Sequence, residues 1–118
     1  MQVIRIYLYS KCSTCRDAEK LLLESGKAIE RRDIFRNPLS ATEISELLHE
    51  TGTTPGEILS SRSISYRQLG LAGMSPTDEQ LVDLMANYPG LIRRPIIIMG
   101  DSVQIGFNRE ALIALVSA

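Results

Sequence analysis

The chain has 118 residues, 44% apolar and 23% charged, with a net charge of −1; this fits one globular domain with an apolar core. It provides no global field for nucleic acid or an anionic membrane, and the composition excludes intrinsic disorder, collagen and coiled coil. No stretch approaches the roughly 18 apolar residues of a membrane span, and Met1 to Tyr9 contains no signal-type apolar region before a cleavage site, so a cytoplasmic protein is expected.

Val3 to Tyr9 is β-branched, aromatic and apolar on both faces, which predicts a strand in the middle of a sheet. Ser10 to Thr14 is a short polar turn. A helix is expected from about Cys15 to Glu24, with Cys15, Ala18, Leu21 and Leu22 on its inner face and Gly26 as its stop. Ala28 to Ile34 reads as a charged strand near a sheet edge, which completes a βαβ unit. Ser40 and Glu43 form a capping box before a helix whose inner face is Ile44, Leu47 and Leu48. Short helices and loops are expected from Thr51 to Met74, around Glu57-Ile58-Leu59 and Tyr66-Arg67-Gln68-Leu69. A helix with Pro76 in its first turn should then turn Leu81, Leu84 and Met85 inward. Ile96 to Met99 and Val103 to Gly106, around Gly100-Asp101-Ser102, read as a β-hairpin. Asn108 caps a last helix that buries Leu112, Leu115 and Val116. The order is β-α-β, a helical insert over about 38–90, then β-β-α, within one domain spanning 1–118.

The chemistry concentrates in the two cysteines. With a single histidine there are too few Cys and His for a structural zinc site built from them alone. Cys12 and Cys15 form a Cys-x-x-Cys pair, and beside a βαβ pattern that spacing reads as redox chemistry. The first cysteine sits where free amides and the helix dipole favour a thiolate. The second, about one turn on, can attack a mixed disulfide made by the first. Cys12 is therefore the candidate nucleophile and Cys15 the resolving thiol, with Lys11 and Arg16 adding positive charge. Ten of the thirteen basic residues are Arg, which suits bidentate oxyanion binding. In Arg93-Arg94-Pro95 the proline stands directly before a buried strand; the residues alone leave a cis or a trans bond open. His49, at a helix end, is read as a surface residue, and Tyr7, Tyr9, Tyr66 and Tyr88 are too scattered for a base-stacking platform.

The chain resembles the ArsC/Spx family, the arsenate-reductase-like branch of the thioredoxin fold. The resemblance rests on Cys12-Ser13-Thr14-Cys15-Arg16, Asn37-Pro38, Ser61-Arg62-Ser63, Gln68-Leu69-Gly70, Pro89 through Ile97 and Gln104 through Asn108. It implies an α/β, thioredoxin-like (glutaredoxin-type) sheet with an inserted helical subdomain, and a cis Pro95 beside the cysteine loop. It implies a thiol–disulfide oxidoreductase that reduces arsenate with glutathione/glutaredoxin or thioredoxin. Cys12, Cys15 and Arg94 would be catalytic, and Lys11, Ser13, Thr14, Arg16, Arg62, Arg94 and Pro95 would line the oxyanion or thiol substrate. Of three arginines that hold the oxyanion in such enzymes, Arg94 matches one, while Ser60 and Phe107 stand at the places of the others. The alternative within the family is an Spx-like redox-sensing regulator that binds the C-terminal domain of the RNA polymerase α subunit. Neither reading implies a metal, an organic cofactor, a membrane or direct nucleic-acid contact.

Overall fold

In the computed structural model, residues 3–117 are described. In chain order the elements are β1 (Ile4–Leu8), α1 (Ser13–Glu24), β2 (Ile29–Asp33), α2 (Ala41–Thr51), α3 (Ile64–Gln68), α4 (Asp78–Asn87), β3 (Ile96–Met99), β4 (Ser102–Ile105) and α5 (Arg109–Ser117). Short 3-10 turns lie at Pro55–Ile58, Leu71–Gly73 and Pro89–Leu91. The chain divides into two compact units: one runs to Ile34 and resumes at Arg94, and the other spans Phe35–Arg93.

The first unit holds a four-stranded sheet in the order β2-β1-β3-β4. The strand expected in the middle is there. β1 pairs parallel with β2, from Ile4↔Ile29 to Leu8↔Asp33, and antiparallel with β3, through Ile6↔Ile97. A parallel pair needs a crossover, and α1 supplies it. Ile4, Ile6 and Leu8 alternate onto one face, where they cluster with Ile97, Met99, Cys15, Ala18 and Leu22, and with Leu112 and Leu115 of α5. The edge position of β2 and the β3–β4 hairpin also match the sequence reading. Gly100 makes the hairpin turn at φ +58, a conformation that favours glycine. Asn108 Oδ1 accepts from the Ala111 amide at 2.9 Å, as an N-cap of α5.

The second unit is helical. The capping box at α2 forms as expected: the Ser40 hydroxyl accepts from the Glu43 amide at 3.1 Å, and the Glu43 carboxylate accepts from the Ser40 amide at 3.0 Å. Ile44, Leu47 and Leu48 are buried, and Gly52 closes the helix at φ +66. The helix expected around Pro76 is shorter than the sequence suggests. Thr77 is its N-cap, paired with Gln80 in a second capping box, so Pro76 lies outside the helix rather than in its first turn. The buried face is Leu81, Val82 and Met85, with Leu84 only half-buried.

Gly90 is where three segments of this unit meet. A Cβ added there would lie 2.7 Å from Ser65 Oγ, 3.5 Å from Ser65 Cβ and 3.8 Å from Phe35 Cζ. The first contact is too short to persist, so Ser65 must leave its rotamer. Gly90→Ala is expected to lower stability by about 1 kcal/mol in urea unfolding. Adding Ser65→Ala should return most of it; a double variant as unstable as Gly90→Ala would show that the backbone, not Ser65, is the obstacle.

Candidate redox site

The first unit presents its reactive groups where β1 gives way to α1. The helix starts at Ser13, two residues before the expected start, and Cys12 is the N-cap in an extended conformation with no side-chain cap bond. The Cys12 carbonyl accepts the first helical bond from the Arg16 amide at 3.0 Å, while its own amide donates to the Tyr9 carbonyl at 3.0 Å. The first turn contains no acidic residue, so no side chain of that turn cancels the positive end of the helix beside the sulfur.

Cys12 is half-buried and Cys15 is fully buried, and both are free thiols. Thr14 Oγ1 lies 3.2 Å from Cys12 Sγ. Burial alone would raise the Cys12 pKa. It is outweighed by the Thr14 hydroxyl, by the amide and thiol of Cys15 and, least of all, by the Arg94 charge, so the thiol titrates below its ordinary value. Burial pushes the Cys15 thiol up to about 12; the Tyr9 backbone lowers it in part, and the Cys12 sulfur raises it again. One thiol is therefore disposed to ionise and the other to keep its proton, the division of labour that a nucleophile and a resolving thiol require.

Lys11, Ser13, Thr14 and Arg16 line the exposed start of the helix. Arg94 is half-buried, its guanidinium carbon 5.7 Å from the centroid of the Tyr9 ring. The Arg94–Pro95 peptide bond is cis and Pro95 is buried. The adjacent arginines divide between the units. Arg93 donates its amide to the Ile58 carbonyl at 2.8 Å, and its Nη1 lies 3.4 Å from the Glu57 carbonyl oxygen. Arg62 also belongs to the helical unit, exposed one residue before the Ser63 N-cap of α3. Arg109 lies with its guanidinium carbon 5.8 Å from the Phe107 ring centroid. His49 is exposed in the last turn of α2.

Two contributors escape a reading of the sequence. Asp33 is the buried charged residue of the described chain, and its Oδ2 accepts from the Ser10 amide at 3.2 Å, tying the cysteine loop to the end of β2. An acidic residue closing an otherwise arginine-rich strand is the available signal. Tyr9 contacts both the cysteine loop and Arg94, a contact between positions far apart in sequence. Among the described residues no three His, Cys, Asp or Glu side chains are grouped to hold a metal, and no helix is long and apolar enough to cross a membrane.

A Cys-x-x-Cys at the first helix of this sheet, with a cis-proline before β3, defines a thioredoxin-like thiol protein of glutaredoxin type with a helical insert. Residues 7–115 match the model of the ArsC family, and the chain belongs to that family. The "Global transcriptional regulator Spx" of Listeria innocua is 36% identical over 110 residues, covering 93% of this chain and 84% of that protein. A structure described as a possible arsenate reductase from Streptococcus mutans UA159 is similar at 30% identity and TM-score 0.78, covering 96% and 99% of the two chains. The arsenate reductase from Vibrio cholerae is similar at 25% identity and TM-score 0.83, covering 96% and 97%.

Proposed function

We propose that the chain is a thiol–disulfide oxidoreductase of the ArsC family that reduces arsenate or a related oxyanion or thiol substrate. The observation that carries the reading is the opposite displacement of the two thiols, with Cys12 lowered at the helix N-terminus and Cys15 raised to about 12 in the core. Cys12 as thiolate attacks the substrate, its negative charge favoured by the Thr14 hydroxyl and the Arg94 charge, with Lys11, Ser13, Arg16 and Pro95 as further candidates to line the substrate. With arsenate, a Cys12 S–As bond forms and an As–O bond breaks, the departing hydroxide taking a proton from solvent to leave as water. Cys15 then gives up its proton and attacks the Cys12 sulfur. The S–As bond breaks with its electron pair going to arsenic, giving arsenite and a Cys12–Cys15 disulfide. Two thiols are oxidised and As(V) is reduced to As(III). An internal disulfide suits thioredoxin as reductant; glutathione with glutaredoxin is the other candidate. A free dithiol fits a reducing compartment, which favours the cytoplasm.

The test is arsenate-dependent NADPH oxidation with each reductant system. Turnover with thioredoxin alone would support resolution by Cys15, whereas turnover only with glutathione and glutaredoxin would assign resolution to glutathione. Absence of turnover in both would reject the arsenate reading.

The 36% identity to the Listeria Spx regulator favours a second reading, in which oxidation of the same pair changes a surface offered to the C-terminal domain of the RNA polymerase α subunit. Retention of the chain by the isolated α domain, differing between reduced and oxidised protein, is expected only under this reading.

A further inference from the structure

Tyr9 reaches the three reactive groups of the first unit in three different ways. Its carbonyl accepts the Cys12 amide at 3.0 Å. Its backbone lowers the pKa of the Cys15 thiol. Its ring lies 5.7 Å from the Arg94 guanidinium carbon, within the distance at which an aromatic face attracts a cation. The first two contacts belong to the backbone and survive any substitution that keeps the loop. Only the third depends on the side chain being aromatic.

The geometry points to Tyr9 as a positioning residue: its ring holds the Arg94 guanidinium at the cysteine loop, so that the cation is in place when an anionic substrate approaches. An arginine side chain has several rotatable bonds, and a single charge at the end of such a stem favours one place only if something fixes it there. Arg94 follows directly on the helical unit and precedes the cis Pro95 at the entrance to β3, while Tyr9 leaves the end of β1, the strand paired with β3. The ring thus braces a cation carried by the neighbouring strand. This inference rests on the oxidoreductase reading and adds to it a determinant of preference for anionic over neutral substrates.

The test compares alkylation of Cys12 by iodoacetate, an anion, with alkylation by neutral iodoacetamide in the full chain. The ratio of the two rates reports the cation at the cysteine loop and cancels changes in thiolate fraction. Two ring-free variants, Tyr9→Leu and Tyr9→Gln, are expected to lower the ratio about two- to five-fold; Tyr9→Phe should leave it unchanged. In an Arg94→Met background the ring-free substitutions should change nothing further. An equal fall in that background, a Tyr9→Phe ratio as low as the ring-free ones, or an unaltered ratio in both ring-free variants would overturn the proposal. Failure of the oxidoreductase reading would show separately, as reduced protein that forms no Cys12–Cys15 disulfide on oxidation, and would leave this ratio interpretable.

Discussion

Cys15→Ser will stop the thiol cycle halfway. Treated with an aromatic disulfide reagent near pH 8, the native chain is expected to release two equivalents of aromatic thiolate and to end as a Cys12–Cys15 disulfide. Cys15→Ser should release one equivalent and keep the aromatic group on Cys12, visible as an added mass, because a serine hydroxyl cannot displace a disulfide sulfur. Cys12→Ser should react slowest of all. Its remaining thiol is buried, and burial, the largest cause of its raised pKa, persists without Cys12, so it carries far less thiolate than a free thiol. The expected order is therefore fast and complete, fast and trapped, then slow. A Cys12→Ser variant that reacts as fast as the native chain would assign the nucleophile to Cys15 and reverse the roles. A Cys15→Ser adduct that clears without added thiol would remove Cys15 from the resolving step.

The parts of this site legible in the sequence are those encoded locally. A β-branched run, two cysteines at one-turn spacing and an apolar helical face suffice to place Cys12 at a helix start and Cys15 in its inner face. The expected helix start falls two residues late because Cys12 caps without a side-chain bond, so the usual Ser, Thr, Asp or Asn signal is absent. The opposite error occurs at α4. Pro76 suggests a helix start although Thr77 and Gln80 spell a capping box, and the packed face takes in Val82 rather than the expected Leu84. The Tyr9–Arg94 contact is illegible for a different reason. It depends on which strands become neighbours, and the antiparallel β1–β3 pair is fixed by tertiary packing rather than by any local pattern. The four tyrosines look scattered along the chain, yet one of them lies against the arginine that the motif singles out.

The buried thiol also sets how the fold responds to alkali. Cys15 is 0% exposed and its pKa in the folded chain is pushed up to about 12, whereas an unfolded thiol titrates near 8.5. Below about pH 8.5 both states hold the proton and Cys15 adds no pH dependence. Above that the unfolded chain releases a proton that the folded chain keeps, so the unfolded state binds fewer protons and stability falls as pH rises towards 12. The slope from this one group is about 1.4 kcal/mol per pH unit, or roughly 2 kcal/mol by pH 10. Cys12 acts with the opposite sign. Its lowered pKa gives stability that is present above the unfolded value and lost as pH falls through the folded one. Cys15→Ala removes the alkaline contribution of this thiol and leaves every tyrosine and lysine in place in both proteins. The variant should begin less stable than the native chain, because a buried sulfur has been replaced by a smaller group. Its stability relative to the native chain, measured by urea unfolding in a reductant at pH 7.5, 9 and 10, should then improve with rising pH. Curves that stay parallel across that range would mean that Cys15 ionises in the folded chain as readily as in the unfolded one, and the division between an ionising Cys12 and a proton-keeping Cys15 would fall with it.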